Sequence, residues 1–239
     1  MRQIALALSS LYADEEFAGP QPFDALVDLT ALEGASLYCS DDAAAAVRDA
    51  ISALPARAVH WIDTGDYHYL SLFWLEKIDE PFTLVLFDNH PDDQPTAFDP
   101  GALSCGSWVA AARSSLPLMK RDVWVRHAAD LEALLGNCLA GTAGGPCPED
   151  DFETVAALPI YLSIDLDVLS PTEFSTDWDQ GDMTFRELCS AISRLAARHR
   201  IIGIDVCGGI TESKGATGAQ LARNAALREA LLSFLGALL

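Results

Sequence analysis

The chain has 239 residues, 50% of them hydrophobic and 21% charged, which is enough for one large core; at roughly 100–200 residues per domain, a single domain spanning 1–239 is expected. A formal charge of −20, from 35 acidic against 15 basic side chains, leaves no basic footprint for phosphate backbones or anionic membranes, so nucleic acid and membrane are excluded as partners. No apolar run approaches the ~18 residues of a membrane span. The stretch 4–8 behind Met1-Arg2-Gln3 is too short for a convincing secretory leader, and six cysteines with no C-x-x-C spacing fit a reduced, cytoplasmic compartment.

In chain order, apolar β-branched runs predict strands at 4–10, 35–39, 58–63, 82–88, 122–127, 159–165 and 201–206. Between them, 41–54 reads as a helix capped by Ser40, and Thr184-Phe185-Arg186-Glu187 has capping-box spacing for a helix running to about 199. Residues 136–152, rich in Gly, Pro and acid, read as a loop. The stretch 221–239 carries apolar residues at helical spacing, with core packing as its first role and a homo-oligomer contact as its second. Alternating β and α elements with nearly continuous apolar strands imply an α/β fold, a parallel sheet covered by helices on both faces, whose ligands bind beyond the carboxyl ends of the strands.

Three acidic or histidine clusters fall at those ends: His68 after Trp61-Ile62, Asp88-Asn89-His90-Pro91-Asp92 after the run 82–87, and Asp165-Leu166-Asp167 after the run 160–164. Residues two apart on a strand share a side, so Asp88 with His90, and Asp165 with Asp167, are expected to converge. Carboxylates and imidazoles suit hard or borderline dications such as Mn²⁺, Mg²⁺, Fe²⁺ or Zn²⁺, and four aspartates can balance two of them. Paired ions sharing a water lower its pKa and present hydroxide to an electrophilic carbon.

The runs Gly65-Asp66-Tyr67-His68, Asp88-Asn89-His90-Pro91-Asp92 and Ser163-Ile164-Asp165-Leu166-Asp167-Val168-Leu169-Ser170-Pro171 resemble, in order and approximate spacing, the metal motifs of the ureohydrolases: arginases, agmatinases and formimidoylglutamases. Gly181-Asp182-Met183-Thr184 resembles the family's lead into the next helix, and Gly203-Ile204-Asp205-Val206 its last active-site strand, so the likeness spans about 58–210. The resemblance implies an arginase-like three-layer α/β/α fold with two Mn²⁺ ions, Fe²⁺ or Zn²⁺ being alternatives. It also implies the metal ligands His68, Asp88, His90, Asp92, Asp165 and Asp167.

Two family positions differ. Cys105 stands where the family has a histidine assigned to proton shuttling or substrate contact, and Gly208 where it has a glutamate that would pair with a guanidinium. Burying a cationic guanidine without a carboxylate partner is costly, so plain arginine and agmatine are disfavoured as substrates; Glu212 or Asp182 would be the substitutes. Asp92 and Cys105 are the candidate catalytic residues, although a cysteine in the apolar stretch 103–112 also reads as a small packing residue, as does Cys207. His60 reads as a hydrogen-bonded core or rim histidine, His127 and His199 as residues of polar faces, and Tyr67, Tyr69 and Trp178 as aromatic packing or pocket walls. The leading function is a binuclear metal-dependent hydrolase of a non-peptide C–N bond in a small-molecule amidine, guanidine or linear amide, acting through a metal-bridging hydroxide. The alternatives are a single-zinc deacetylase-like hydrolase and a noncatalytic, metal-retaining binding protein.

Overall fold

A computed structural model describes residues 1–15, 22–96, 101–130 and 158–238; the loop expected at 136–152 lies outside them. The strands are β1 (Gln3–Ala7), β2 (Ala25–Asp28), β3 (Tyr38–Cys39), β4 (Val59–Trp61), β5 (Phe82–Phe87), β6 (Leu103–Ser104), β7 (Met119–Val125), β8 (Ile160–Asp165) and β9 (Ile201–Cys207). Seven of them form one sheet in the order β2-β1-β4-β9-β8-β5-β7, and every pairing in it is parallel. The α-helices are α1 (Leu11–Asp14), α2 (Asp41–Ile51), α3 (Leu70–Leu75), α4 (Trp108–Ser115), α5 (Phe185–Ala196) and α6 (Gly218–Leu238).

Side chains that alternate along a strand feed two separate cores. Ala5, Val85, Phe87, Leu162 and Ile164 pack with α5 and α6, through Leu188, Ile192, Leu231 and Leu235. Ile4, Leu6, Leu84 and Leu86 pack on the other face with Val47 of α2, Phe73 and Trp74 of α3 and Trp108 of α4. Both faces are therefore covered, giving a three-layer α/β/α architecture. The stretch 221–239 does pack into the core: Leu221, Asn224, Arg228, Leu231 and Leu235 of α6 are buried at helical spacing. No described helix is long and apolar enough to cross a membrane.

The helix starts follow their capping chemistry. Ser40 accepts a hydrogen bond from Ala43 N, and Thr184 and Glu187 form the reciprocal capping box that opens α5. Three strand expectations need correction. The stretch 35–39 contributes only Tyr38–Cys39, which pair antiparallel with β6 outside the main sheet because Leu37 turns the chain with φ +63°. Strand β2 went unpredicted: it is a four-residue edge strand, half exposed and alternating. Strand β7 begins three residues earlier than expected, its charged residues masking the start.

Candidate metal centre

The strands β4, β9, β8 and β5 are neighbours, and their carboxyl ends carry all six expected ligands, Asp165 as the last residue of β8 and the other five beyond the strands. Past β4, Asp63 accepts hydrogen bonds from Leu8 N, Ser9 N and Thr64 N, fixing the chain before a 3₁₀ turn over Gly65–Tyr67 that delivers His68. Past β5 and β8 the pairing arises differently from the pleat expected. His90 N donates to Asp88 Oδ1 (2.6 Å) and Asp167 N donates to Asp165 Oδ1 (2.9 Å). Each aspartate thus folds the chain back on itself in an Asx-type turn, which brings the residue two positions on to the same side. Asn89 N donates to Asp167 Oδ1 and ties the two turns together.

The donor atoms converge. His68 Nδ1 lies 2.9 Å from Asp92 Oδ2, 3.1 Å from Asp88 Oδ2 and 3.6 Å from Asp165 Oδ2. His90 Nδ1 lies 2.8 Å from Asp167 Oδ2 and 3.6 Å from Asp88 Oδ1. Two groups of donors, His68-Asp88-Asp92 and Asp88-His90-Asp167, are each compact enough to surround an ion, and Asp88 belongs to both. Asp92 takes a left-handed backbone (φ +48°), held by Val109 N on its carbonyl and by Trp108 Nε1 on Oδ2 at 2.7 Å, both from the start of α4. Such a conformation in a non-glycine residue is strained and survives only where neighbours fix it.

Behind His68 runs a buried chain that sequence reading missed. His68 Nε2 is 2.9 Å from Ser163 Oγ, which donates to Asp205 Oδ1 at 2.5 Å. Burial raises the Asp205 pKa to about 6, while its Oδ1 accepts the Ser163 proton. Ser163 then accepts from His68 Nε2–H, which leaves Nδ1 as the ring nitrogen facing three carboxylate oxygens. The signal for this chain was a serine and an aspartate inside otherwise apolar strands.

The electrostatics carry the same tension. Burial, reinforced by neighbouring carboxylates, holds Asp165 and Asp167 above the usual carboxylate range. Burial alone opposes charge on His68, but the Cys207 sulfur and the oxygens of Asp88 and Asp92 outweigh it and raise its pKa. His90 rises to about 10, chiefly through Asp167. Asp88 Oδ2 is buried without a hydrogen-bond donor.

A cavity of about 370 Å³ opens onto this cluster, walled by Leu37, Tyr38, Pro91, Cys105 and Trp178. The His90 side chain is 34% exposed, against 8% or less for His68, Asp88, Asp92, Asp165 and Asp167, so it is the ligand candidate facing the cavity most openly. Trp178 lies edge-on to His90 and donates to Asp66, which pairs with Lys214. Cys105 lines the wall, and burial followed by Asp92 and Asp66 pushes its thiol up to about 12. Gly208 sits against Asp165 with φ +102°. Neither proposed substitute reaches the cavity: Asp182 pairs with His127 on the surface, and Glu212 is exposed on a 3₁₀ turn. His60 is a core residue, stacked on Trp74 and bonded to Tyr161 Oη and the Pro55 carbonyl. Tyr67 and Tyr69 are also packing residues, their hydroxyls spent on the Leu8 and Ala35 carbonyls.

No protein-family model matches the chain. An uncharacterised protein of Thermotoga maritima is 32% identical over 150 residues, 63% of this chain and 57% of the relative, so the match spans just over half of that relative's length. The formimidoylglutamase of Bacillus subtilis superposes with a TM-score of 0.60 at 13% identity, covering 99% of this chain and 86% of its own. The arginase of Bacillus caldovelox gives 0.58 at 16% identity over 97% and 98%. The chain therefore has an arginase-like α/β/α fold, at low sequence identity to the solved structures that share it.

Proposed function

We propose that the protein is a metal-dependent hydrolase of a non-peptide carbon–nitrogen bond. The observation that carries this reading is the orientation of His68: its Nε2 is committed to Ser163, and its Nδ1 faces the oxygens of Asp88, Asp92 and Asp165. Carboxylates so gathered in a buried space repel unless positive charge, a bound cation or a proton on the imidazole, joins them. The residues fit a pair of dications: His68, Asp88, Asp92 and Asp165 would hold one, and Asp88, His90, Asp165 and Asp167 the other, with Asp88 and Asp165 shared. Oxygen and imidazole donors favour Mn²⁺, with Fe²⁺ and Zn²⁺ compatible. When bound, such ions supply Lewis acidity and make water a nucleophile at neutral pH.

The chain's own residues do the rest. Asp92 Oδ2 is occupied by Trp108, and burial raises the Asp92 pKa, so Oδ1 is the oxygen suited to take a proton from the attacking water and return it to the leaving nitrogen. Cys105, at about 12, keeps its proton at neutral pH and serves as a small wall residue, not a shuttle. Trp178 closes one side over His90 and limits water access. Among the described residues lining the cavity, the carboxylates are those of the metal cluster itself, so a cationic guanidinium finds no separate anchor and an amidine or linear amide fits better. A panel of neutral and cationic amides, amidines and guanidines, assayed with added Mn²⁺ or Zn²⁺, tests the reading. Metal-dependent release of ammonia or amine, lost in the Asp165→Ala, Asp167→Ala double variant, is expected; no turnover on any member of the panel overturns it.

A further inference from the structure

One buried donor at the centre has no role in the account above. Cys207 is the last residue of β9 and stands opposite Asp165 in the parallel register with β8. Its Sγ lies 3.0 Å from Asp165 Oδ2, the oxygen that is 3.6 Å from His68 Nδ1. The sulfur, an Asp165 carboxylate oxygen and a ring nitrogen of His68 lie within 4.8 Å of one another, and all three residues are buried. A second observation marks the same space: Asp88 Oδ2 is buried without a hydrogen-bond donor and sits 3.1 Å from the same His68 nitrogen. The buried Arg228 guanidinium is bonded to Glu15 and the Gly208 carbonyl. Nitrogen, oxygen and sulfur atoms of buried residues thus gather at one point.

We propose that Cys207 Sγ is a ligand of the ion held by His68 and Asp165, so that this half of the centre is a nitrogen, oxygen and sulfur site. The inference rests on the metal-centre reading and alters its chemistry. A thiolate donor favours borderline-soft dications, so this position takes Zn²⁺ or Co²⁺ in preference to Mn²⁺. The other half, built from Asp88, His90 and Asp167, keeps an all-oxygen and imidazole set suited to Mn²⁺. The thiol proton leaves when the ion binds, so Zn²⁺ uptake releases one proton more than it does in a Cys207→Ser variant. The rival reading is a neutral S–H that donates to Asp165 and does nothing else.

Titration of the chelator-treated full chain with Co²⁺ separates the two, because only a cobalt–sulfur bond gives an intense near-ultraviolet charge-transfer band beside the visible ligand-field bands. The band is expected with the first equivalent of Co²⁺, absent in Cys207→Ser and Cys207→Ala, and retained in Cys105→Ser. Zn²⁺ affinity should fall in Cys207→Ser by about tenfold or more, the scale on which losing even an outer-shell partner acts, while Mn²⁺ affinity holds. Visible bands without the charge-transfer band in the unaltered chain, or a band that survives in Cys207→Ser, would overturn the proposal and leave the metal centre standing. If elemental analysis and calorimetry find no binding of Co²⁺, Zn²⁺ or Mn²⁺, the metal-centre reading itself fails, and this inference with it.

Discussion

Replacing Gly208 with alanine probes the packing on which the centre depends. Gly208 holds φ +102°, and a Cβ there would lie 2.7 Å from Asp165 Oδ1 and 2.9 Å from Leu166 N. Both distances are well inside van der Waals contact, and the second atom is backbone that cannot swing aside. The unfavourable φ costs about 1–3 kcal/mol, and forcing a methyl into a filled space costs a similar amount. The expected loss is about 2–5 kcal/mol, a fall in Tm of roughly 5–15 °C for a chain of this size. Gly215 separates the two contributions, since it has φ +95° with nothing within 4 Å of its Cβ position, so Gly215→Ala pays the backbone cost alone. Calorimetric unfolding of both variants, with and without saturating Mn²⁺, reads the difference. Gly208→Ala should also weaken metal binding, because the atom displaced belongs to Asp165. If it is no more destabilising than Gly215→Ala and binds metal normally, the contact with Asp165 is wrong.

Three further expectations follow from the same packing. Ser163→Ala strands the His68 Nε2–H and the Asp205 carboxylate, costing about 1–3 kcal/mol of stability and about 10–100-fold in metal affinity; calorimetric titration showing unchanged affinity would uncouple Ser163 from His68. Glu15→Gln leaves Arg228, fully buried and bonded to the Gly208 carbonyl, without its charge partner, a loss of about 3–5 kcal/mol that an apolar replacement of both residues should largely restore; denaturant titration distinguishes the two outcomes. In metal-free protein, raised folded pKa values of Asp165, Asp167 and Asp205 favour folding below the ordinary carboxylate range, and that contribution is lost as pH rises through the folded values. Raised values at His68 and His90 act in the same direction at higher pH. Metal-free Tm should therefore fall from about pH 4 upward, and the Tm gain from added metal should grow over the same range; a pH-independent gain would contradict the assignment.

Much of the fold was legible because its central strands are buried on both faces. Strands β5, β8 and β9 read as nearly continuous apolar runs, the pattern of a parallel sheet buried on both faces. The candidate cluster was legible for a related reason: acid and histidine clustered directly after such runs fall at the sheet's carboxyl edge. What sequence could not supply was the lateral order of strands. Strand β2 carries four alternating residues on an edge, where burial imposes little pattern. Ser163, Asp205 and Cys207 sit within apolar strands and look like isolated exceptions until β9 is known to lie beside β8. The reason for the i, i+2 pairing was misread as well, because Asp88 with His90 and Asp165 with Asp167 converge through side-chain-to-backbone turns past the strand ends.

The strand order also links the two unusual residues of β9's end. Strand β9 runs between β4, which leads to His68, and β8, which ends in Asp165, so whatever follows Val206 must pass between two ligand-bearing loops. Cys207 meets that constraint by placing its sulfur against Asp165 Oδ2. The chain must then leave without a side chain, and Gly208 does so against Asp165 Oδ1, its carbonyl held by Arg228. A glutamate at 208 would have to occupy the space that Asp165 and the Leu166 backbone already fill, so a single substitution would not recover a guanidinium anchor there. The thiol next to the cluster and the missing anchor are consequences of one backbone path. The proposed preference for substrates other than cationic guanidines and the proposed thiolate-tolerant ion both rest on that path.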